Sequence, residues 1–399
     1  MEKVLLKLSI IAVLNGVATL ALLPVIPHHI RSLGGSHFLI GLMNALFAGI
    51  QVLAGPLVGS WSDLRGRKVV WTTTYLVAVA CCFIMGLTSS LYLIFLANIL
   101  IGTFEHTQIL GKAVVGDILP KDRLTEAYGT MGAVGTLGII FGPILGGHLI
   151  ERENGFFYVC TFASIVHFAA IGLMQTLEEK PLKTSTFNFQ TEVTKIFRDL
   201  GSVNWREFWE PFFLRFVVSF AITVVFTSQL VYIGARYGLS QKGAGYYVAF
   251  VGLLGIISVI LIGWIKKVFY STKEKQADSR LQLHLFATYT IGLMSMATAS
   301  TFEMVLIATI PVAFACSGLM IITMEGIVQK STDSDRGILT GASESVMGIG
   351  RCVAPLVSGI IAEFLSEKLV ISIPIFFSIL GTLLCLKITR QDSRVDKID

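Results

Sequence analysis

Apolar runs of about twenty residues follow one another along the chain, parted by short polar turns. A helix needs about 20 residues to cross a hydrocarbon core ~30 Å thick. The pattern therefore predicts twelve membrane spans, near residues 8–27, 38–60, 69–89, 91–116, 126–150, 156–177, 212–234, 243–265, 282–299, 303–326, 337–362 and 369–387. Two longer polar stretches interrupt the series, at 178–211 and 266–281. The first follows the sixth span. It suggests an N-terminal six-helix bundle over 1–177, a linker over 178–211, a C-terminal six-helix bundle over 212–387 and a tail over 388–399. Within the linker, Phe189, Val193, Ile196, Phe197 and Leu200 recur at helical spacing, with Glu192, Lys195, Arg198 and Asp199 elsewhere. That spacing fits an amphipathic helix on the membrane surface, or a solvated linker helix.

Composition supports the pattern. Hydrophobic residues make up 54% of the chain and charged residues 14%, with a mean hydropathy of +0.74. A soluble domain carries about 25% charge, so 399 residues do not here mean two or three soluble domains. The run from Leu8 to Ile26 is too long for the core of a leader peptide and reads as the first span. Cys81, Cys82, Cys160, Cys316, Cys352 and Cys385 all lie in apolar runs without metal-ligand spacing, as buried thiols do. With the amino terminus placed in the cytoplasm, twenty-three lysines and arginines fall on the cytoplasmic side and five on the other. By the positive-inside rule both termini are then cytoplasmic. The net charge of +5 becomes a property of the inner membrane face, and nucleic acid is not implied.

A faint repeat relates the halves. Asp122-Arg123 and Asp335-Arg336 precede spans five and eleven. Within those spans Gly138 and Gly350 each lie five residues before a proline, Pro143 and Pro355. Six-span repeats of this kind are built around one pathway.

The turn after span two reads Gly59-Ser-Trp-Ser-Asp63-Leu-Arg-Gly66-Arg67-Lys68. It resembles the loop signature of the major facilitator superfamily, with Leu64 where a basic residue is usual. Gly59 would let helix ends approach, Asp63 would pair with a basic group or cap a helix, and Arg67 and Lys68 would hold the inner surface. In that superfamily the loop latches the cytoplasmic side. Span five holds Gly138-Ile-Ile-Phe-Gly142-Pro143-Ile-Leu-Gly146-Gly147, similar to a motif of the drug/proton-antiporter-like branch. Its small residues allow close helix packing, and its proline implies a kink. Val115-Gly-Asp117-Ile-Leu-Pro120 also resembles the end of span four in that branch, and other stretches resemble an orphan vertebrate group of the superfamily. Two departures weaken proton antiport by the usual route. Asn15 and Asn98 stand where that branch carries an acid in span one and an arginine in span four.

Ionisable groups inside spans are costly and are functional candidates by default. Glu105 and His106 lie in span four and are candidates to line a pathway or carry a proton; as neighbours on a helix, only one can face it squarely. Glu344 and Arg351, seven residues apart in span eleven, share a face. Arg351 is deep enough to pair with Glu105, to bind an anionic group or to stabilise the interface between the halves, and Glu344 with Arg351 could equally be a purely structural pair, while Arg215, four residues into span seven, is expected to snorkel to the interface. The repeat maps Lys112 onto Glu325, which suggests a cytoplasmic gate pair. Asp117 joins the gating set.

The expectation is an all-α membrane protein of twelve transmembrane helices in two pseudo-symmetric six-helix bundles. It would be a secondary transporter moving a small organic solute by alternating access, with Asn15, Thr19, Glu105, His106, Gln229, Glu344 and Arg351 on the pathway. Protons are the candidate coupling ion. An uncoupled facilitator, and a sensor on a transporter fold, are the alternatives. No enzyme constellation, metal spacing, cofactor motif or nucleotide-binding loop is evident. The partners expected are the lipid bilayer and the solute, with the chain a monomer.

Overall fold

The computed structural model describes residues 2–120, 123–177, 194, 198, 200–270, 277–332 and 335–395. The amphipathic linker helix expected around 189–200 lies almost wholly outside them. Every regular element among the described residues is helical. They run α1 (Glu2–Leu22), α2 (Val25–Ser32), α3 (His37–Arg65), α4 (Arg67–Leu87), α5 (Leu91–Phe104), α6 (Thr107–Ile118), α7 (Leu124–Gly135), α8 (Leu137–Ile150) and α9 (Gly155–Gln175). After the linker come α10 (Trp205–Tyr237), α11 (Gln241–Phe269), α12 (Ala277–Thr298), α13 (Phe302–Lys330), α14 (Arg336–Phe364) and α15 (Ser372–Val395).

Eleven stretches among the described residues are long and apolar enough to cross a membrane. The remaining expected span is α12. At 22 residues it is long enough, but Asp278, Arg280 and His284 dilute its first half.

Three expected spans are interrupted. The first bends after α1 at Pro24, whose ring cannot continue a hydrogen-bonded helix. The fifth divides at Thr136, while Pro143, the expected kink, sits inside α8. The fourth divides at Glu105 and His106, whose backbone angles (φ −76°, ψ 77° and φ −117°, ψ 35°) leave the helical region.

Two compact units result. One comprises Met1–Ile196 with Leu239–Gly252, the other Phe197–Gly238 with Leu253–Asp399, so α11 contributes to both. In the first unit α1 packs on α8 and α9, and α4 on α5 and α9. The α1–α8 seam depends on glycine. A methyl group on Gly138 would lie 2.7 Å from Gly16 Cα, one on Gly142 2.8 Å from Val17 O, and one on Gly146 2.2 Å from Ala21 O. The other side of α8 meets the start of α11, where a methyl on Gly245 would lie 2.2 Å from Pro143 O. In the second unit α10 packs on α13, α14 and α15, and α12 on α13 and α15. Gly350 of α14 faces Ser219 and Phe220 of α10, with a built methyl 3.1 Å from Phe220 N. The repeat seen in sequence is thus a repeated helix seam.

Candidate functional site

In the first unit, three of the expected pathway residues converge where α5 breaks. Glu105 ends α5; its amide still donates to Ile101 O at 2.7 Å, but the helix does not continue through it. Its carboxylate accepts from Thr19 Oγ1 of α1 at 2.5 Å, and the Asn15 side chain lies near it one turn earlier. The Glu105 carbonyl accepts from Gln51 Nε2 of α3 at 3.5 Å. Gln51 is a neighbour the sequence reading missed.

The break overturns the argument that Glu105 and His106 compete for one face of a continuous helix. They diverge instead, Glu105 toward α1 and His106 toward α3. The His106 ring lies beside Gly55, where a methyl group would sit 3.6 Å from its Cε1. His106 is buried, and its Nε2 has no hydrogen-bond partner among the described residues. Asn98, one of the two departures from the antiporter pattern, is also buried with its amide oxygen unpartnered.

The signature loop is held by Arg67. Gly66 makes the turn between α3 and α4 at φ 96°, where a Cβ is strained. The Arg67 side chain then turns back onto α3. It pairs with Asp63, donates to Ser62 Oγ at 2.5 Å and reaches Gly59 O at 3.5 Å. Its Nε meets Asp117 Oδ2 of α6 at 3.0 Å. Asp63 and Asp117, expected separately, therefore share one guanidinium. Gly59 is not at a tight approach: a methyl there would meet one atom, at 3.9 Å. Lys68 donates to Gln175 O and Leu177 O, at 2.5 and 3.1 Å, and so satisfies the carboxyl end of α9.

In the second unit Arg215 does not snorkel. It is 4% exposed, and it donates to Met320 O at 2.6 Å, Ser343 Oγ at 3.1 Å and Thr323 Oγ1 at 3.2 Å. Nη2 reaches Glu344 Oε1 at 3.4 Å. These partners lie on α13 and α14 and supply enough acceptors to keep the guanidinium inside, which is what the expectation of snorkelling lacked. Glu344 also faces Arg351 Nη2 at 4.0 Å, so the expected shared face of α14 holds a charged pair with a second arginine behind it.

Glu325 is engaged inside its own unit. Its Oε2 accepts from Lys266 Nζ at 2.6 Å, and the same ammonium meets Asp278 Oδ1 at 2.9 Å. Lys112, its expected gate partner, lies in the first unit, where its backbone carbonyl accepts from Tyr128 OH at 3.1 Å. Gln229 lies in α10, but its side chain is outside the described residues. No cluster of three histidine, cysteine or acidic side chains suited to a metal occurs among the described residues.

Known proteins place this architecture. The human protein named solute carrier family 67 member A1 is 24% identical over 355 residues, covering 84% of this chain and 81% of its own. The class H tetracycline resistance protein of Pasteurella multocida is 21% identical, covering 91% of this chain and 90% of its own. The crystal structure of a bacterial homologue of the human lysosomal transporter Spinster superposes with a TM-score of 0.79 at 15% identity, covering 98% of both chains. The model of the Major Facilitator Superfamily matches residues 8–272. The chain is a multi-pass integral membrane protein and belongs to the major facilitator superfamily.

Proposed function

We infer that the chain is a secondary transporter of the drug/proton-antiporter-like branch, moving a small organic solute by alternating access with protons as the coupling ion. The observation that carries this reading is Glu105 at an interrupted membrane helix, its carboxylate held by Thr19. Broken helices within membrane spans recur at the binding sites of transporters, where freed backbone and ionisable groups meet solute and ion. A carboxylate bound by a hydroxyl, with no basic partner among the described residues, suits reversible protonation. The loop clamp of Asp63, Arg67 and Asp117 supports a moving element at that end of the first unit. The human and bacterial relatives are named for solute carriage and drug resistance, which fits an organic solute.

Asn15 and Asn98, in place of an acid and an arginine, favour a second reading, an uncoupled facilitator. One experiment separates the two. The full chain is reconstituted in proteoliposomes, and uptake across a panel of organic solutes is followed with and without an imposed pH gradient, for wild type and Glu105→Gln. Proton coupling predicts uptake that follows the gradient and loses that response in the variant. Uptake indifferent to the gradient identifies the facilitator. No uptake of any solute removes the transporter reading.

A further inference from the structure

We propose that the solute is an organic anion and that Arg351, on one face of α14, receives its carboxylate or sulfonate group. The proposal rests on the transporter reading for the word solute, but the site itself is argued from the second unit alone.

The helix α14 has two open faces of opposite character. Ile349, Val353 and Ile360 are exposed and apolar, as a lipid-facing stripe should be. Arg351 lies about 160–200° around the helix from each of them, at 100° per residue. Its own face carries Gly337, Gly341, Glu344 and Gly348 at spacings of three and four. A methyl group on Gly337 or Gly341 would meet nothing within 4 Å. Gly348 is buried, while Gly337, Gly341, Glu344 and Arg351 are exposed, so the open part of this face is polar and begins at the two charged side chains.

Depth makes this arrangement costly without a ligand. Arg351 is the sixteenth residue of the 29 in α14, so it lies about 22 Å along the helix at 1.5 Å per residue, near mid-span. A guanidinium at that depth needs partners. Arg215 has them: a carbonyl, two hydroxyls and a carboxylate occupy its nitrogens while its side chain is 4% exposed. Arg351 differs. It is 44% exposed, and its recorded contact is Glu344 Oε2 at 4.0 Å, an ion-pair distance too long for a hydrogen bond.

Counted together, Arg215, Glu344 and Arg351 leave one uncompensated positive charge. Arg215 draws one Glu344 oxygen toward itself and the other is left facing Arg351. The Arg351 side chain is 44% exposed, and no hydrogen bond to its fork of donors occurs among the described residues. That fork fits a carboxylate or sulfonate in two parallel hydrogen bonds. A neutral or cationic solute would leave both the charge and the donors unanswered.

The test is equilibrium binding to the purified full chain in detergent, followed by quenching of its tryptophan fluorescence. The probes are aryl acetates and aryl sulfonates, each matched to its neutral amide and to an aryl-alkyl ammonium of the same ring. Saturable binding of the anions, weaker for amides and ammonium ions, is expected. Losing a charge-assisted pair should weaken anion binding about tenfold or more in Arg351→Gln. Arg351→Lys should retain part of it. Glu344→Gln should tighten it, since a competing carboxylate is gone; the gain of function in that variant cannot come from misfolding. Equal binding of all three probe classes, no change in Arg351→Gln, or no saturable anion binding overturns the proposal. Uptake of the same probes in proteoliposomes separates it from the broader reading. Charge-blind uptake sinks the anion site and leaves the transporter. Anion binding that depends on Arg351, without uptake, keeps the site and sinks the transporter.

Discussion

Gly146→Ala is a small change whose consequence can be worked from geometry. The added methyl would lie 2.2 Å from Ala21 O, 2.9 Å from Ala21 C and 3.0 Å from Ala21 Cα, all backbone atoms of α1. No side-chain rotation relieves a clash with backbone. Non-bonded contacts settle near 3.5–4 Å, so α1 and α8 must part by about 1 Å. Overpacking of this size costs about 1–3 kcal/mol. Replacing a helical glycine also returns up to ~1 kcal/mol in helix propensity, so the comparison should be with a glycine that has room. Gly132 in α7 is one, with nothing within 4 Å of its built methyl. For a unit of roughly 200 residues, 1 kcal/mol shifts the melting temperature by about 2–4 °C. Gly146→Ala is then expected to melt about 2–10 °C below Gly132→Ala. The chain carries its own reporters: Cys81, Cys82 and Cys160 are buried in the same unit, and a thiol-reactive dye detects them only on unfolding. If Gly146→Ala melts level with or above Gly132→Ala, the seam is not load-limited by backbone contact and the argument fails.

Three further outcomes are expected with the same dye or the proteoliposome assay. Arg215→Leu removes the donors to the Met320 carbonyl and to the Thr323 and Ser343 hydroxyls, which keep Leu319 O and Met324 Sδ as acceptors, and should lower stability by about 1–3 kcal/mol, more than the same change at the partly exposed Arg351. Gly66→Ala forces a side chain into φ 96° and should lower stability by about 1–3 kcal/mol, whereas Gly59→Ala, with its nearest contact at 3.9 Å, should be close to neutral. Glu105→Gln should keep the chain folded, because an amide can still accept from Thr19, while abolishing the response of uptake to a pH gradient.

The membrane class, the element type and most of the span positions were legible in the hydrophobic pattern because burial in lipid demands apolar length. The loop signature and the glycine seam were also legible, since only glycine fits against the Ala21 carbonyl or at the φ of Gly66. Periodicity hid the interruption at Glu105 and His106. Apolar residues continue on both sides of it, and two of the contacts made at the break, from Thr19 of α1 and Gln51 of α3, come from far along the chain. The fate of Arg215 was hidden for a similar reason. Its acceptors, Met320, Thr323, Ser343 and Glu344, come from two other helices, and three of them are ordinary membrane-helix residues. A cost argument could have raised it: a cation four residues into an apolar span either reaches water or finds four acceptors.

One pairing suggested by the repeat can be tested against the contacts within the second unit. An offset of 213 carries Lys112 to Glu325 and suggests that opposite charges at equivalent positions attract. An offset locates equivalent positions, but charge partners are chosen by distance. At 2.6 Å from Lys266 the Glu325 carboxylate already has a cation, and Lys266 also serves Asp278, whose other oxygen accepts from Gln329 Nε2 at 2.7 Å. Lys266→Gln would leave two carboxylates facing each other. Both are partly exposed, so the loss should be modest, about 1 kcal/mol at low salt and less at high salt. The sign of the coupling is the sharper test. Removing Glu325 as well should relieve the repulsion, so Lys266→Gln with Glu325→Gln should melt above Lys266→Gln alone. The same double-variant comparison of Lys112→Gln with Glu325→Gln tests the gate pair: additive effects mean that the two do not pair. Coupling of Glu325 to Lys112 with none to Lys266 would favour the pairing that the repeat suggests over the one drawn from distance.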